Sequence, residues 1–420
     1  MSESNSVDVV IVGAGAAGLA ATRTARDVGL RSITVEASER IGGRAWTDPK
    51  PFGVLWDRGC HWLHSADINP FTALADRYGY RYRSDPPPRQ LYHQEGRLNA
   101  KDEAAAEAFL DQASDRIRAA SQAGRDVPVA TMVDQASPWS LPFRATIAAE
   151  WGVSPEETST LDYGRYRDTD RNWPVEDGYG ALVARHAEGL PVTRSTPVER
   201  IDWGNHRVRV TTSSGAVEAR AVIVTVSTAV LADGLIAFDP PLPVWKQEAL
   251  AAVPLGRANK VALQIDGRRL GVDGHTNILV PVGSDAMMSF QLCPFGWDMA
   301  NGYLAGSLCA DLERQGEAAI IDAATSALRS ALGSEAVREI AVTACSRWGD
   351  EPYVRGAYAA ARPGQADRRQ ELVTPLADRL FFAGEATSPD FFSTCHGAHQ
   401  SGIVAARAVA AAIVVASPRD

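Results

Sequence analysis

Cysteine is scarce, with five residues in 420, and those five are dispersed. Cys60, Cys293, Cys309, Cys345 and Cys395 form no C-x-x-C pair and no zinc-type spacing, which argues against a disulfide scaffold or a zinc module. An odd, scattered set suggests free thiols in a reducing compartment. Positive charge is in deficit as well. The 42 Lys and Arg against 51 Asp and Glu leave a net charge of −9, the opposite of the basic footprint of nucleic-acid binders. Long apolar runs are missing. The best candidate, Ile403 to Val415, is short and carries Arg407, so it reads as a buried helix end rather than a membrane span. The start, Met-Ser-Glu-Ser-Asn-Ser, is polar and acidic, unlike a signal or transit peptide. Repeats and low-complexity linkers are absent. The expectation is a cytoplasmic protein with no nucleic-acid, membrane or metal partner, long enough for two or three domains.

What the sequence does contain is concentrated near its start. Val9 to Val12 is a continuous apolar run, as expected for a strand covered on both faces. Gly13-Ala14-Gly15-Ala16-Ala17-Gly18 follows, then an Ala-rich helical stretch from Leu19 to Val28, then a second strand ending on Glu36. A lone G-x-G-x-x-G is weak, but strand, turn, helix and strand with an acid roughly 20 residues on form a dinucleotide fingerprint. Gly13 permits the sharp turn, Gly15 admits a pyrophosphate to the backbone, and Gly18 lets helix and strand pack closely. The helix N-terminus offers unpaired N–H groups to the phosphates. Glu36 is placed to accept hydrogen bonds from a ribose and to repel a 2′-phosphate. The continuation Arg40-Ile41-Gly42-Gly43-Arg44 gives a second close backbone approach, and Arg44 adds fork-shaped donors for phosphate or flavin. Surface salt bridging is the competing reading of Arg40. Further on, Lys101 to Ala123 reads as helix, as do the segments up to Glu150. Strands are expected at Pro191 to Ile201, Arg207 to Val226, Lys260 to Ile265, across Leu279 to Cys309, at Val342 to Ser346 and at Leu380 to Ala383.

With Gly-Ala-Gly-Ala-Ala-Gly-Leu, Glu36 and Arg-Ile-Gly-Gly-Arg-Ala in place, the chain resembles the flavin-dependent amine oxidases, a family that includes polyamine oxidases, monoamine oxidases and the lysine-specific histone demethylase. Later segments agree in order: Gly59 to His64, Pro191 to Val198, Phe238 to Pro243, Asn259 to Val261, Arg347 to Gly349, Gly356 to Tyr358, and Phe382 to Thr387 followed by Ser393 to Ala398. The wording of the last segments is most similar to the polyamine oxidases. The resemblance implies an α/β fold in which a Rossmann-like FAD-binding domain (residues 1–84, 191–243 and 365–420) is interleaved with a substrate domain of mixed sheet plus helices (residues 85–190 and 244–364).

It also implies roles. Gly13, Gly15, Ala17, Gly18, Glu36, Ala37, Arg40, Gly42, Gly43 and Arg44 would bind FAD from the N-terminal side. His61 and Trp62 would pass beside the flavin, with Val198 at the adenine. Trp348, Gly384, Glu385, Thr394 and Cys395 would close the cofactor site from the C-terminal side. Lys260, in an apolar strand, is costly without a partner or cavity. Snorkelling to solvent from an edge strand is its alternative reading, whereas the resemblance places it in a water-mediated contact to flavin N5. Tyr358 and Trp348 would be aromatic walls for the amine, and His64 a polar contact to a substrate nitrogen. His396 and His399 lack a third metal ligand and read as packing residues. Ala357 stands where monoamine oxidases carry the cysteine of a covalent flavin bond, so FAD is expected to be non-covalent. Thr394 stands where many relatives have a second cage tyrosine, so the second wall must come from elsewhere. The implied reaction is oxidation of a C–H bond next to the nitrogen of a small amine, polyamine foremost, with molecular oxygen as acceptor and hydrogen peroxide as product. L-amino-acid oxidase, monoamine oxidase-type and desaturase-like enzymes are the alternatives, as is a flavoprotein without catalysis. Arg355 and Arg362 are the candidates for a carboxylate-binding arginine.

Overall fold

The computed structural model describes residues 7–94, 96–272 and 274–415. Two seven-stranded sheets organise it. In the first, the strands run Ala237–Asp239, Val198–Asp202, Val208–Thr212, Gly215–Val224, Val7–Val12, Ser32–Val35. The long strand Gly215–Val224 explains the arrangement. Its first half forms a hairpin with Val208–Thr212, while its second half lies parallel to Val7–Val12 on one edge and to Leu380–Phe382 on the other. Period-two alternation then divides the buried residues between the faces. Val9, Ile11, Ile223 and Phe381 pack under Ala21, Ala25, Ala405 and Val409 of helices Ala16–Asp27 and Cys395–Val415. Val10, Val12, Val222 and Phe382 face the opposite way, against Leu250 and Leu372. Small residues bring the two helices together: a Cβ on Gly402 would stand 2.0 Å from the Ala17 carbonyl oxygen.

The second sheet runs Thr343–Cys345, Ala258–Gln264, Met299–Ala305, Ala286–Leu292, Thr276–Val282, Arg89–His93, Gly96–Arg97. One face, with Val261, Leu263, Ile278, Phe290 and Leu304, buries itself against Ile320, Ala324 and Leu328 of helix Glu317–Leu332. The other face carries a polar row fixed by register, with Lys260 opposite Tyr303, Tyr303 opposite Ser289, and Asn301 opposite Gln291. A third layer consists of the helices Ala100–Gln122, Ser140–Trp151 and Thr160–Arg165, packed through Ile117, Phe143, Ile147 and Trp151.

Some expected elements are shorter than the sequence pattern suggests. The Pro191 to Ile201 strand begins only at Val198; before it, Thr193 pairs with Val35 as an isolated bridge. Cys309 lies on helix Gly306–Gln315 rather than on a strand, since Gly306 at φ +63° turns the chain out of the sheet. Among the described residues, no helix is long and apolar enough to cross a membrane.

Candidate functional site

The first strand ends at Gly13, and the turn there is built on backbone contacts. A Cβ on Gly18 would lie 1.9 Å from the Gly13 carbonyl oxygen, so the helix can sit this close to the turn only with glycine there. Gly15 differs, because a Cβ there would meet nothing nearer than 4.0 Å. It precedes a helix whose first turn has no side-chain cap, leaving N–H donors open to the adjoining cavity. Gly42 pairs with Gly15 as a parallel bridge, and its φ of +97° favours glycine. Glu36 is buried and held in place: one carboxylate oxygen accepts from the Ala14 N–H at 2.6 Å and the other from Ser38 N–H and hydroxyl at 2.9 Å.

These groups line a continuous cavity of about 1740 Å³. It also takes in Gly13, Ala17, Ala37, Arg40, Gly43, Arg44, His61, Trp62, His64, Val198, Lys260, Trp348, Tyr358, Gly384, Glu385, Thr394 and Cys395. Gly18 alone of the expected site residues lies off the wall, where it packs the helix against the turn. Segments far apart in sequence thus meet on one surface.

Several side chains have partners that sequence did not suggest. Arg44 donates to Glu385 at 2.8 Å and to the Ala357 carbonyl, so part of its donor set is directed at protein. Arg40 makes no ion pair among the described residues. Its guanidinium lies 4.2 Å from the Trp46 ring centroid and donates to the Gly43 carbonyl. Thr394 caps the last helix, accepting from Gly397 N–H at 3.0 Å. His64 pairs with Asn172 at 2.7 Å, and His396 contacts Asn69 at 3.3 Å. Tyr358 donates to the Ala149 carbonyl, and Trp348 donates to the Arg58 carbonyl at 3.2 Å.

Lys260 does not reach solvent. It is 7% exposed, and its ammonium donates to the Asp57 carbonyl at 3.0 Å. Burial pulls its pKa down to about 8, against the opposing pull of Asp57 and Cys60. Asp57 organises this corner and was not legible in the sequence. Its carboxylate accepts from Tyr179 and Gly180 N–H groups and pairs with His61 Nδ1 at 3.0 Å. Burial holds both His61 and His64 below the usual histidine range.

Past Lys260 the cavity reaches the helical layer, and here sequence reasoning missed the chemistry. Glu150, at the end of helix Ser140–Trp151, lines the wall with Asp168, Tyr163, Tyr166 and Phe392. The Glu150 side chain is exposed where it faces the cavity. Burial first, then the Asp168 charge, push its pKa up to about 7, with Arg89 and Arg118 opposing. Phe392 packs 5.6 Å from Tyr166 and 5.7 Å from Trp151, which supplies aromatic wall where Thr394 cannot. Among the described residues no cluster of three or more His, Cys, Asp or Glu is arranged to hold a metal.

An uncapped helix N-terminus, two glycine turns and an anchored acid define a dinucleotide-binding α/β protein whose cofactor cavity opens onto an aromatic, acidic pocket. The chain belongs to the flavin-containing amine oxidoreductase family, whose model matches residues 16–410. It is 27% identical to lysine-specific histone demethylase 2 of Homo sapiens, covering 96% of this chain and 53% of that one. It is 28% identical to polyamine oxidase 2 of Arabidopsis thaliana, covering 96% and 88% respectively. The chain therefore spans about half the length of the demethylases it matches. In fold it resembles a cofactor-binding double mutant of putrescine oxidase (TM-score 0.79, 22% identity, 97% and 99% covered). It also resembles cyclohexylamine oxidase from Brevibacterium oxydans (TM-score 0.78, 21% identity, 97% and 100% covered). The cofactor of this family fold is FAD, and the cavity fits it: Gly15 leaves the space a Cβ would fill, and Glu36 is fixed within reach of that turn.

Proposed function

We propose that this protein is an FAD-dependent amine oxidase acting on a C–H bond next to an amine nitrogen, with diamines or polyamines as the substrate class. The observation that carries the substrate reading is the Glu150–Asp168 carboxylate pair in the same cavity as Lys260 and the glycine turns. A second ammonium on the substrate would neutralise two like charges on one cavity wall at once. Asp111 and Asp115 extend the acidic excess along the wall, against Arg89 and Arg118. An amino-acid substrate finds less support. Arg355 is turned to Asp233 at 2.5 Å, and Arg362 is not on the cavity wall.

When bound, the flavin supplies the hydride acceptor for amine oxidation. The chain's own groups do the rest. Gly13, Gly15, Ala17, Glu36, Ala37, Gly42, Gly43 and Arg44 would hold the nucleotide end, and Val198 would hold the adenine. Arg40, His61, Trp62, Trp348, Gly384, Glu385, Thr394 and Cys395 complete the walls of the cofactor site. Tyr358, with Phe392 and Tyr166, confines the amine and limits water. His64, neutral and fixed by Asn172, accepts a substrate N–H. Lys260, with a pKa of about 8, holds a proton beside the reacting centre that it can release near neutral pH. Ala357 supplies no thiol at that position, which supports non-covalent FAD. The imine product hydrolyses to a carbonyl compound and a shorter amine, and molecular oxygen takes the electrons as hydrogen peroxide, in the cytoplasm. The cofactor unit comprises residues 1–84, 191–243 and 365–420, and the substrate unit residues 85–190 and 244–364.

The test is a panel of polyamines, acetylated polyamines, monoamines, amino acids and histone lysine peptides, followed by anaerobic flavin bleaching and by peroxide release. Bleaching by diamines or polyamines at the lowest concentration is expected. Bleaching only by amino acids would overturn the substrate class, and none by any amine would overturn the activity.

A further inference from the structure

A second cavity, of about 220 Å³, lies away from the cofactor, where helices Ala16–Asp27, Tyr179–His186 and Cys395–Val415 meet. Arg23, His186, His399 and Arg407 line it, together with the carboxylate-bearing Asp27. The arginines stand out. Neither has a carboxylate within ion-pair distance among the described residues, although the chain is acidic overall. Asp27 pairs instead with Arg26 at 3.6 Å and is largely exposed. Arg23 donates to the His186 carbonyl, but its Nε is buried with no partner. His399 is 8% exposed, with the Phe71 ring at 5.0 Å and the His186 ring at 5.7 Å, and makes no hydrogen bond among the described residues. A buried guanidinium N–H without an acceptor is costly, as is uncompensated charge.

We propose that this pocket binds a small oxyanion, of the phosphate or carboxylate type, between Arg23 and Arg407. The anion would supply the missing acceptors for Arg23 Nε and His399. The space suffices: at about 30 Å³ per water, the cavity holds a tetrahedral oxyanion with several waters. The local field agrees. Burial, then the Arg23 and Arg77 charges, push His186 to about 4; burial, then His186 and Arg23, push His399 to about 4. Such an anion would tie together two helices that both begin at the cofactor cavity. It would do so whether or not the enzyme oxidises amines.

The experiment titrates the FAD-loaded protein with inorganic phosphate, and separately with acetate, in chloride buffer at constant ionic strength, by calorimetry and by histidine NMR. Saturable heat and shifts of the His186 and His399 resonances toward their protonated positions are expected. Tighter phosphate binding would identify a dianion site and tighter acetate binding a carboxylate site. Arg407→Gln, at an exposed position, should weaken binding at least tenfold while the flavin spectrum is unchanged, and Arg23→Gln should do the same. Absence of saturable heat with both anions, or equal affinity in the variants, would overturn the site.

Discussion

Arg44 donates to the carboxylate of Glu385 at 2.8 Å, although 341 positions separate them in sequence. Glu385 also accepts from Ser393 N–H at 3.0 Å and Ala359 N–H at 3.3 Å. One buried carboxylate therefore joins the second glycine turn, the segment beside Tyr358 and the loop that opens the last helix. Replacement Glu385→Ala leaves the Arg44 charge and two N–H groups unpaired at once. The expected result is destabilisation of about 2–4 kcal/mol, with FAD lost on gel filtration. Full FAD retention with an unchanged melting temperature would show that the pair is incidental.

Lys260→Met should leave FAD bound but slow flavin reduction or reoxidation. In the parent protein the rate of the affected half-reaction should change with an ionisation near pH 8, and the variant should lack it. The stability sign follows from the same depressed pKa. Between about pH 8 and the unfolded lysine value of 10.5, the unfolded chain holds a proton that the native state has released. Native stability conferred by this residue thus rises with pH across that window and is lowest below pH 8. Identical half-reaction rates and pH profiles in both proteins would remove Lys260 from the chemistry.

Glu150→Gln tests the acidic pocket. The carboxyl ionises near pH 7, so affinity for a doubly charged amine should rise as pH passes upward through 7. In the variant that rise should be lost, and KM for diamines should increase roughly 10-fold, which corresponds to about 1.4 kcal/mol. KM for a monoamine should hardly change. Equal effects on both substrates would mean that Glu150 acts on the fold instead.

Lys246 gives a control on stability alone. It is 1% exposed and donates to the carbonyls of Glu371, Leu372 and Thr374 at 2.6–3.0 Å, where helix Arg368–Val373 ends. Lys246→Met strands those carbonyls, so a loss of about 1–3 kcal/mol is expected, read as a lower unfolding midpoint. The flavin spectrum and KM should be unaffected; a change in KM would place this latch in communication with the active site.

The residues read most directly from sequence are those whose job is local. Gly13, Gly15 and Gly18 act within one turn and one helix, and Glu36 follows at the end of the adjacent parallel strand. Short-range sterics and hydrogen bonding fix their geometry, so spacing alone reveals it. Lys260 is partly legible, since a lysine inside an apolar strand demands an explanation. The acceptor it finds, the Asp57 carbonyl, lies 203 positions away and carries no signal of its own. For Arg40 the sequence leaves surface pairing open beside cofactor binding, because the Trp46 ring under its guanidinium on the cavity wall carries no spacing signal.

By itself, then, the sequence determined the cofactor class, because a dinucleotide is gripped by backbone whose conformation is set within about 30 residues of chain. It also determined where the apolar faces fall, through alternation along each strand. Only the tertiary structure decided which charges share a cavity. Glu150 and Asp168 come from different segments of the helical layer, and Asp57 gathers Lys260 and His61 from opposite sides. The physical reason is that desolvation and Coulomb coupling depend on distance and enclosure in space, and neither quantity is carried by order along the chain.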